Sequence, residues 1–288
     1  MGSICIVTDS TCQMVRGAAP APQTQLEIIQ WEIKTSGIHP VNGESLKVSD
    51  LPPQATCGFP FHLTAPTVER IAALFSHLSK RFESIVGIFS SSLLGSCYDN
   101  AQKASKDYQG KVEIFLIDTQ TFSVGLGYLV QCALDAAAQG LSASEIDRKV
   151  RNLCAITYSL ICAPAISYLH HNGFVDHGQA MIGEMLGLYP IFTLESDKLL
   201  PIEKVRSYRQ AITFFQEFLE EFEHVKHISV IKSPLIVYNE PRQGSGFLLN
   251  VLSKPVYSEH IINLPTAMLF GPTCLGMFIV EAENPRLH

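Results

Sequence analysis

The sequence predicts an α/β protein in two domains: an N-terminal parallel sheet flanked by helices, and a C-terminal α+β domain with a mixed or antiparallel sheet. Two observations carry this. As far as about residue 155, short apolar strands alternate with amphipathic helices, the order that builds a parallel sheet covered on both faces. Beyond it, one long amphipathic helix is followed by strand-like runs set apart by Pro, Gly and Asn. The boundary falls near residue 158, giving domains 1–158 and 159–288.

The elements follow in order. ICIVT (4–8) is an apolar strand. Between Pro20 and Thr56 the one clear strand is IIQWEIK (28–34). A helix begins at Pro66, with Thr64 as its N-cap and the proline in the first turn. Its residues Val68, Ile71, Leu74, Phe75, Leu78 and Phe82 recur at three and four, which places one apolar stripe against the sheet. SIVGIF (84–89) is a strand, a helix starts at about Gly95, and VEIFLID (112–118) is the next strand. Helices follow Phe122 and Ser142. Ser142 and Glu145 form the S-x-x-E capping box, and Gly140 closes the helix before it. In the second half, Val205, Tyr208, Ile212, Phe215, Leu219 and Phe222 lie along one helical face. HISVI, PLIVY, SEHIINL and GMFIVEA read as strands.

Composition narrows the function classes. The chain has 288 residues, 47% of them apolar and 17% charged, enough to pack a sizeable core. Its net charge is −6 and its basic residues are scattered, so there is no electrostatic footprint for nucleic acid and none for anionic lipid. No apolar run reaches the length of a membrane span, and MGSICIVTDST enters a strand without a basic or cleavage region, so a cytoplasmic protein is expected. The eight cysteines are dispersed, form no CxxC and read as reduced core residues.

The stretch VGIFSSSLLGSCYDNA (86–101) runs a strand into three serines, a glycine and a helix. A hydrolase nucleophile elbow needs G-x-S-x-G, but here the serines are flanked by Phe89, Leu93 and Leu94. A phosphate loop needs a lysine that is missing, and SVGLGYL (123–129) lacks the third glycine of a dinucleotide fingerprint. His170, His171 and His177, with Asp176 beside them, are metal-ligand residue types, but adjacent histidines on an irregular turn more often point in different directions. No catalytic residue, metal or cofactor is therefore expected. What survives is the placement of Thr64 and the Ser90–Ser96 loop at helix starts, where free amides and the helix dipole favour an anion or a polar head group.

Seven segments in order resemble one family, the DegV-type bacterial lipid-binding proteins, which include the fatty-acid-binding subunits of fatty acid kinase. IVTDSTCQ (6–13) is similar to the family opening IVTDSTxD, and HLTAPTVE to the TSQPS segment, with Thr64, Pro66 and Thr67 in register. SSSLLGSCYDNA resembles SSxLSGTYxxA, and LIDTQTFSVGLGYLV resembles VIDSxxxSxGxGxLV. ISYLHHNGFV, IGEMLGLYPIFTLESDKL and FGPTCLGMFIV match the segments written LxYLxxGGRI, IGxLLxIKPIL and HxGPGxLGLFF. The resemblance implies two α/β domains with a long-chain acyl group in a tunnel between them. It also implies a partner kinase for some members, which phosphorylates the carboxylate while the binding protein holds the chain.

Four family head-group positions are apolar here. The family's carboxylate-binding serine falls on Leu94, the first threonine of TSQPS on Leu63, the arginine of GGRI on Phe174, and the histidine before the GP pair on Leu269. Thr64, Ser91, Gly95 and Ser96 remain as the ligand-binding set. The expectation is a non-catalytic carrier of a long-chain fatty acid or similar lipid, poorly suited to serve a fatty acid kinase. The alternative is a regulatory or scaffold paralogue that keeps the fold and has no ligand.

Overall fold

The computed structural model describes residues 3–15, 24–35, 46–56, 58–108, 110–195, 198–236 and 256–282. The chain forms two compact units. The first contains residues 1–34 and 62–155, the second residues 35–61 and 156–288. Residues 35–61, which precede the boundary expected near residue 158, group with the second unit.

The first unit is built on a four-stranded parallel sheet in the order β2-β1-β5-β6. β1 (Ile4–Asp9), β2 (Thr24–Ile29), β5 (Ser84–Phe89) and β6 (Glu113–Asp118) form it. All six residues of β1 and of β5 are buried, as central parallel strands require. A two-stranded ribbon pairs β3 (Glu32–Thr35) with β4 (Phe61–Thr64). IIQWEIK is thus not one strand, because Gln30 and Trp31 separate β2 from β3.

Four helices complete the unit: α1 (Val68–Leu78), α2 (Cys97–Ser105), α3 (Ser123–Ala138) and α4 (Ala143–Cys154). The apolar stripe of α1 buries Ile71, Phe75 and Leu78 against Cys5, Val7, Ile85 and Phe89. The N-cap of α1 is Thr67, whose hydroxyl accepts from the Arg70 amide, and not Thr64, which closes β4. The capping box of α4 is present: the Ser142 amide donates to Glu145 Oε2 at 2.8 Å, and the Glu145 amide to Ser142 Oγ at 3.4 Å. α3 passes so close to the chain after β1 that a Cβ on Gly127 would lie 1.9 Å from the Gln13 carbonyl oxygen.

The second unit has a six-stranded mixed sheet in the order β11-β10-β12-β7-β8-β9. Its strands are β7 (Thr157–Cys162), β8 (Tyr189–Glu195), β9 (Lys198–Val205), β10 (Val225–Lys232), β11 (Val256–Ile261) and β12 (Leu275–Glu281). The β10–β11 pair is parallel, and the other neighbours are antiparallel. Between them lie α5 (Ile166–His171), α6 (His177–Met185), α7 (Tyr208–Glu220) and α8 (Leu264–Phe270). α7 buries Ala211, Ile212, Phe215 and Leu219 on a sheet face lined by Leu160, Ile228, Met277 and Ile279.

Three sequence readings change here. Val205 belongs to β9, although it packs into the same cluster as the α7 face. SEHIINL stops being a strand at Ile261, because the Asn263 side chain accepts from the Thr266 amide and caps α8. Of PLIVY, Pro234 and Leu235 form a turn, and residues 237–238 lie outside the described residues.

Gly127→Ala is expected to destabilise the protein by at least about 2 kcal/mol, since the clash is with backbone that has no rotamer to yield. Thermal unfolding of the variant should start several degrees lower, and an unchanged transition would refute the close approach of α3.

Candidate functional site

The strand order in the first unit reverses direction between β1 and β5, so their carboxyl ends flank the topological switch point, where open α/β sheets bind ligands. Three loops meet there, following β1, β5 and β6. Their centre is Asp9, the last residue of β1, which is fully buried. Its Oδ1 accepts from the Thr11 amide at 2.9 Å and the Thr11 hydroxyl at 2.6 Å. Its Oδ2 accepts from the Ser90 amide and the Ser90 hydroxyl, both at 2.8 Å. An ionised carboxylate is an acceptor only, and all four bonds are of the kind it makes. Burial pushes the Asp9 carboxyl upward from its ordinary value, while the bonds from Thr11 and Ser90 pull it down.

The β6 loop locks the rest of the serine stretch. The Ser91 amide donates to the Thr121 carbonyl at 2.9 Å, and the Ser92 amide to the Asp118 carboxylate at 3.2 Å. The Thr119 hydroxyl donates to the Phe89 carbonyl at 2.8 Å, and the Gln13 amide reaches the Ser123 carbonyl at 3.0 Å. Gln120 and Ser123 have φ of 53° and 51°, the left-handed region that non-glycine residues adopt at some strain, held here by this network.

Each expected site residue can now be placed. Ser91 is buried, and its oxygen accepts from the Leu93 amide at 3.3 Å, starting a short 3₁₀ turn over Ser92–Leu94. Among the described residues, no acceptor takes the Ser91 hydroxyl proton, and the amides of Gly95 and Ser96 donate to nothing. Ser96 is the N-cap of α2 without a side-chain cap, and its hydroxyl accepts instead from Asn100 Nδ2 at 3.3 Å. Gly95 has extended backbone, φ 160° and ψ 171°, which any residue adopts. Trp31 is what requires glycine: a Cβ at position 95 would sit 2.6 Å from its Cη2. Thr64 departs from expectation, because it starts no helix and its hydroxyl donates to the Glu32 carbonyl at 3.1 Å. Ser91, Gly95 and Ser96 share one turn, and Thr64 sits on the ribbon of the same unit.

The apolar replacements are packed side chains. Leu94 is 5% and Leu269 2% exposed, Leu63 packs against the core of the first unit, and Phe174 stacks on Phe270 at 6.2 Å. The histidines make structural bonds. His171 Nε2 donates to the Phe61 carbonyl at 2.9 Å and His170 Nδ1 to the Val175 carbonyl at 3.2 Å, while Asp176 caps α6. These rings line a cavity of about 540 Å³ in the second unit, together with Phe59, Met181 and Glu184. Among the described residues, no group of three or more His, Cys, Asp or Glu side chains could hold a metal ion. Burial pushes the thiols of Cys12 and Cys274 up to about 12, so they stay protonated at neutral pH. No helix among the described residues is long and apolar enough to cross a membrane.

Sequence reasoning missed Asp9 and Trp31. The T-D-S-T run did hold a signal for the first, since an Asp accepting from the amide two residues on is an Asx turn.

Residues 3–239 match the family described as "Uncharacterised protein, DegV family". A DegV domain-containing protein of Staphylococcus aureus strain COL is 24% identical over 266 residues, 88% of this chain and 94% of that protein. Among solved structures, the Streptococcus pneumoniae Fatty Acid Kinase (Fak) B3 protein loaded with linoleic acid superposes with a TM-score of 0.81 at 16% identity, over 97% of this chain and 100% of that one. A fatty acid binding DegV family protein from Streptococcus agalactiae gives 0.78 at 19% identity, over 97% and 99%. At these identities the structures establish a shared fold.

Asp9→Asn is expected to destabilise the protein by about 1–3 kcal/mol, the cost of one stranded buried donor. The amide nitrogen must face either Thr11 or Ser90, whose hydroxyl can turn to accept but whose backbone N–H cannot. Hydrogen exchange should quicken at whichever of the Thr11 and Ser90 amides faces the new NH2 group, and exchange at both as slow as in the wild type would contradict the assignment.

Proposed function

The chain belongs to the DegV family, and from that membership we propose that it binds a long-chain fatty acid or similar lipid and carries it without catalysing a reaction on it. The observation that carries this reading is the turn after β5. There the Ser91 hydroxyl and the amides of Gly95 and Ser96 are unspent donors, in a family whose solved members include fatty acid binding proteins. Thr64 has already given its proton to Glu32 and has none for a carboxylate.

Magnitudes support binding despite the lost polar positions. Burying a methylene is worth about 0.8 kcal/mol, so an acyl chain of about fifteen offers on the order of 12 kcal/mol before costs. One hydrogen bond to a charged head group is worth about 1.5–3 kcal/mol. Affinity therefore tolerates a thinned head-group site. Phosphoryl transfer tolerates it less, because it depends on positive charge placed around the transferring group. With Phe174 and Leu269 packed where the family's motifs carry arginine and histidine, we expect poor service as a substrate carrier for a fatty acid kinase.

The second reading is a ligand-free scaffold, favoured by the burial of Leu94 and Leu269. Native mass spectrometry of purified protein, followed by delipidation and titration with oleate, separates the two. The carrier reading expects a co-purifying lipid or uptake of oleate, and protein that arrives empty and takes up none supports the scaffold. Within the carrier reading, Ser91→Ala should weaken oleate binding about tenfold or more, whereas Thr64→Val should change it less than about threefold. The reverse ranking would remove Ser91 from the seat.

A further inference from the structure

β10 and β11 carry two mirrored tripeptides, His227-Ile228-Ser229 and Ser258-Glu259-His260. A strand has a side-chain period of two, so each tripeptide puts its histidine and its serine on one face. The parallel register sets Ser229 directly opposite Ser258, and the four polar side chains meet on one side of the sheet. α7 packs on the other side, where Ile228 and Tyr257 join its cluster.

The four side chains form a continuous hydrogen-bonded chain. His227 Nε2 lies 2.7 Å from Ser229 Oγ, Ser229 Oγ 2.9 Å from Ser258 Oγ, and Ser258 Oγ 3.0 Å from His260 Nε2. A longer approach of 3.4 Å also brings Ser258 Oγ to His227 Nε2. The chain runs inward, from the half-buried His260 and Ser258 to Ser229 and His227, which are buried. Its three short contacts need three protons, and the two hydroxyls supply two. The third comes from one imidazole Nε2, while the other Nε2 accepts. Two bare nitrogens would leave the serine oxygens facing each other without a proton. Two protonated nitrogens would leave a serine proton without an acceptor in the chain.

We propose that this chain is a proton-sensitive latch on β11, closed when one of the two imidazoles carries a proton at Nε2 and open in acid, when both do. β11 is an edge strand bonded to β10 alone, so its hold depends on what crosses that pair. A first added proton is tolerated, because a His260 imidazolium still donates through Ser258 and Ser229 to His227 Nε2. A second goes to that Nε2 and removes the acceptor that ends the chain.

Among the described residues of β10, β11 and β12, no other titratable side chain shares this face. His227 lies opposite Val280 and Ser229 opposite Phe278 on β12, and Val256 and Ile231 complete the pair. Lys232 and Glu259, paired at 2.6 Å, and Tyr257, which donates to Glu259, lie on the opposite face. α8, which follows β11, has no titratable side chain. Burial holds the His260 imidazole below its ordinary value of about 6.5, which favours the neutral ring in the folded protein. The hold is therefore complete above that value and weakens as the pH falls below it.

The latch is independent of lipid binding, and full-length protein labelled with ¹⁵N-histidine tests it. Long-range ¹H–¹⁵N correlation at pH 7.5 should show one of His227 and His260 with its proton on Nε2 and the other with a bare Nε2. Between pH 7.5 and 5 the β11 amides should lose protection from hydrogen exchange by roughly tenfold or more, the equivalent of one hydrogen bond to a charged group. That loss should follow protonation of the second ring and leave the β12 amides protected. Ser258→Ala, which removes the cross-strand link, should lower β11 protection already at pH 7.5 and abolish the acid step. Two bare or two protonated Nε2 at pH 7.5, β11 protection that holds unchanged to pH 5, a loss shared by the whole sheet, or a step that survives Ser258→Ala overturns the latch. The wild-type measurements decide the matter even if Ser258→Ala does not fold.

Discussion

The candidate site depends on one buried carboxylate. Asp9 ends β1 in a place with no access to water, and an unpaired charge there would cost far more than the net stability of a domain can absorb. The cost is offset by four donors, two from Thr11 and two from Ser90, which fill both oxygens. The consequence is geometric. The chain after β1 and the chain after β5 are tied to the same atom group, so the start of the serine loop has one position. The β6 loop then fixes the next two amides through Thr121 and Asp118.

This network also decides which polar groups remain for a ligand. Ser90 resembles a nucleophile in sequence, yet its hydroxyl proton is committed to Asp9. Thr64 is committed to Glu32. What remains is whatever the scaffold does not use: the Ser91 proton and the Gly95 and Ser96 amides. Gly95 belongs in that set for a packing reason, since any side chain there would displace Trp31 and with it the link from β2 to β3.

The legibility of the sequence follows the same physics. β1, β5 and α1 were readable because strands buried on both faces are continuous apolar runs, and a helix on a sheet carries a stripe at three and four. The hairpin of β8 and β9 was not, because β9 is mostly exposed and its charged residues follow no alternation. SEHIINL misled since an asparagine cap inside an apolar run looks like strand until its hydrogen bond is seen. Thr64 was misplaced by three residues: T-A-P-T offers two threonines around the proline, and only the backbone reveals that Thr67 caps. The family resemblance located the Ser91–Ser96 turn, but Trp31 reaches it from sixty residues away through tertiary packing, which no local pattern encodes.

Carrier and scaffold make opposite uses of the same apolar residues, and the unspent donors weigh between them. Leu94 and Leu269 serve either reading, because a buried leucine stabilises a filled core and lines a lipid site alike. An unpaired buried donor serves only one, and of the three Ser91 alone is buried, Gly95 being partly exposed and Ser96 exposed. A chain with no ligand gains nothing from a buried serine whose hydroxyl proton finds no acceptor among the described residues.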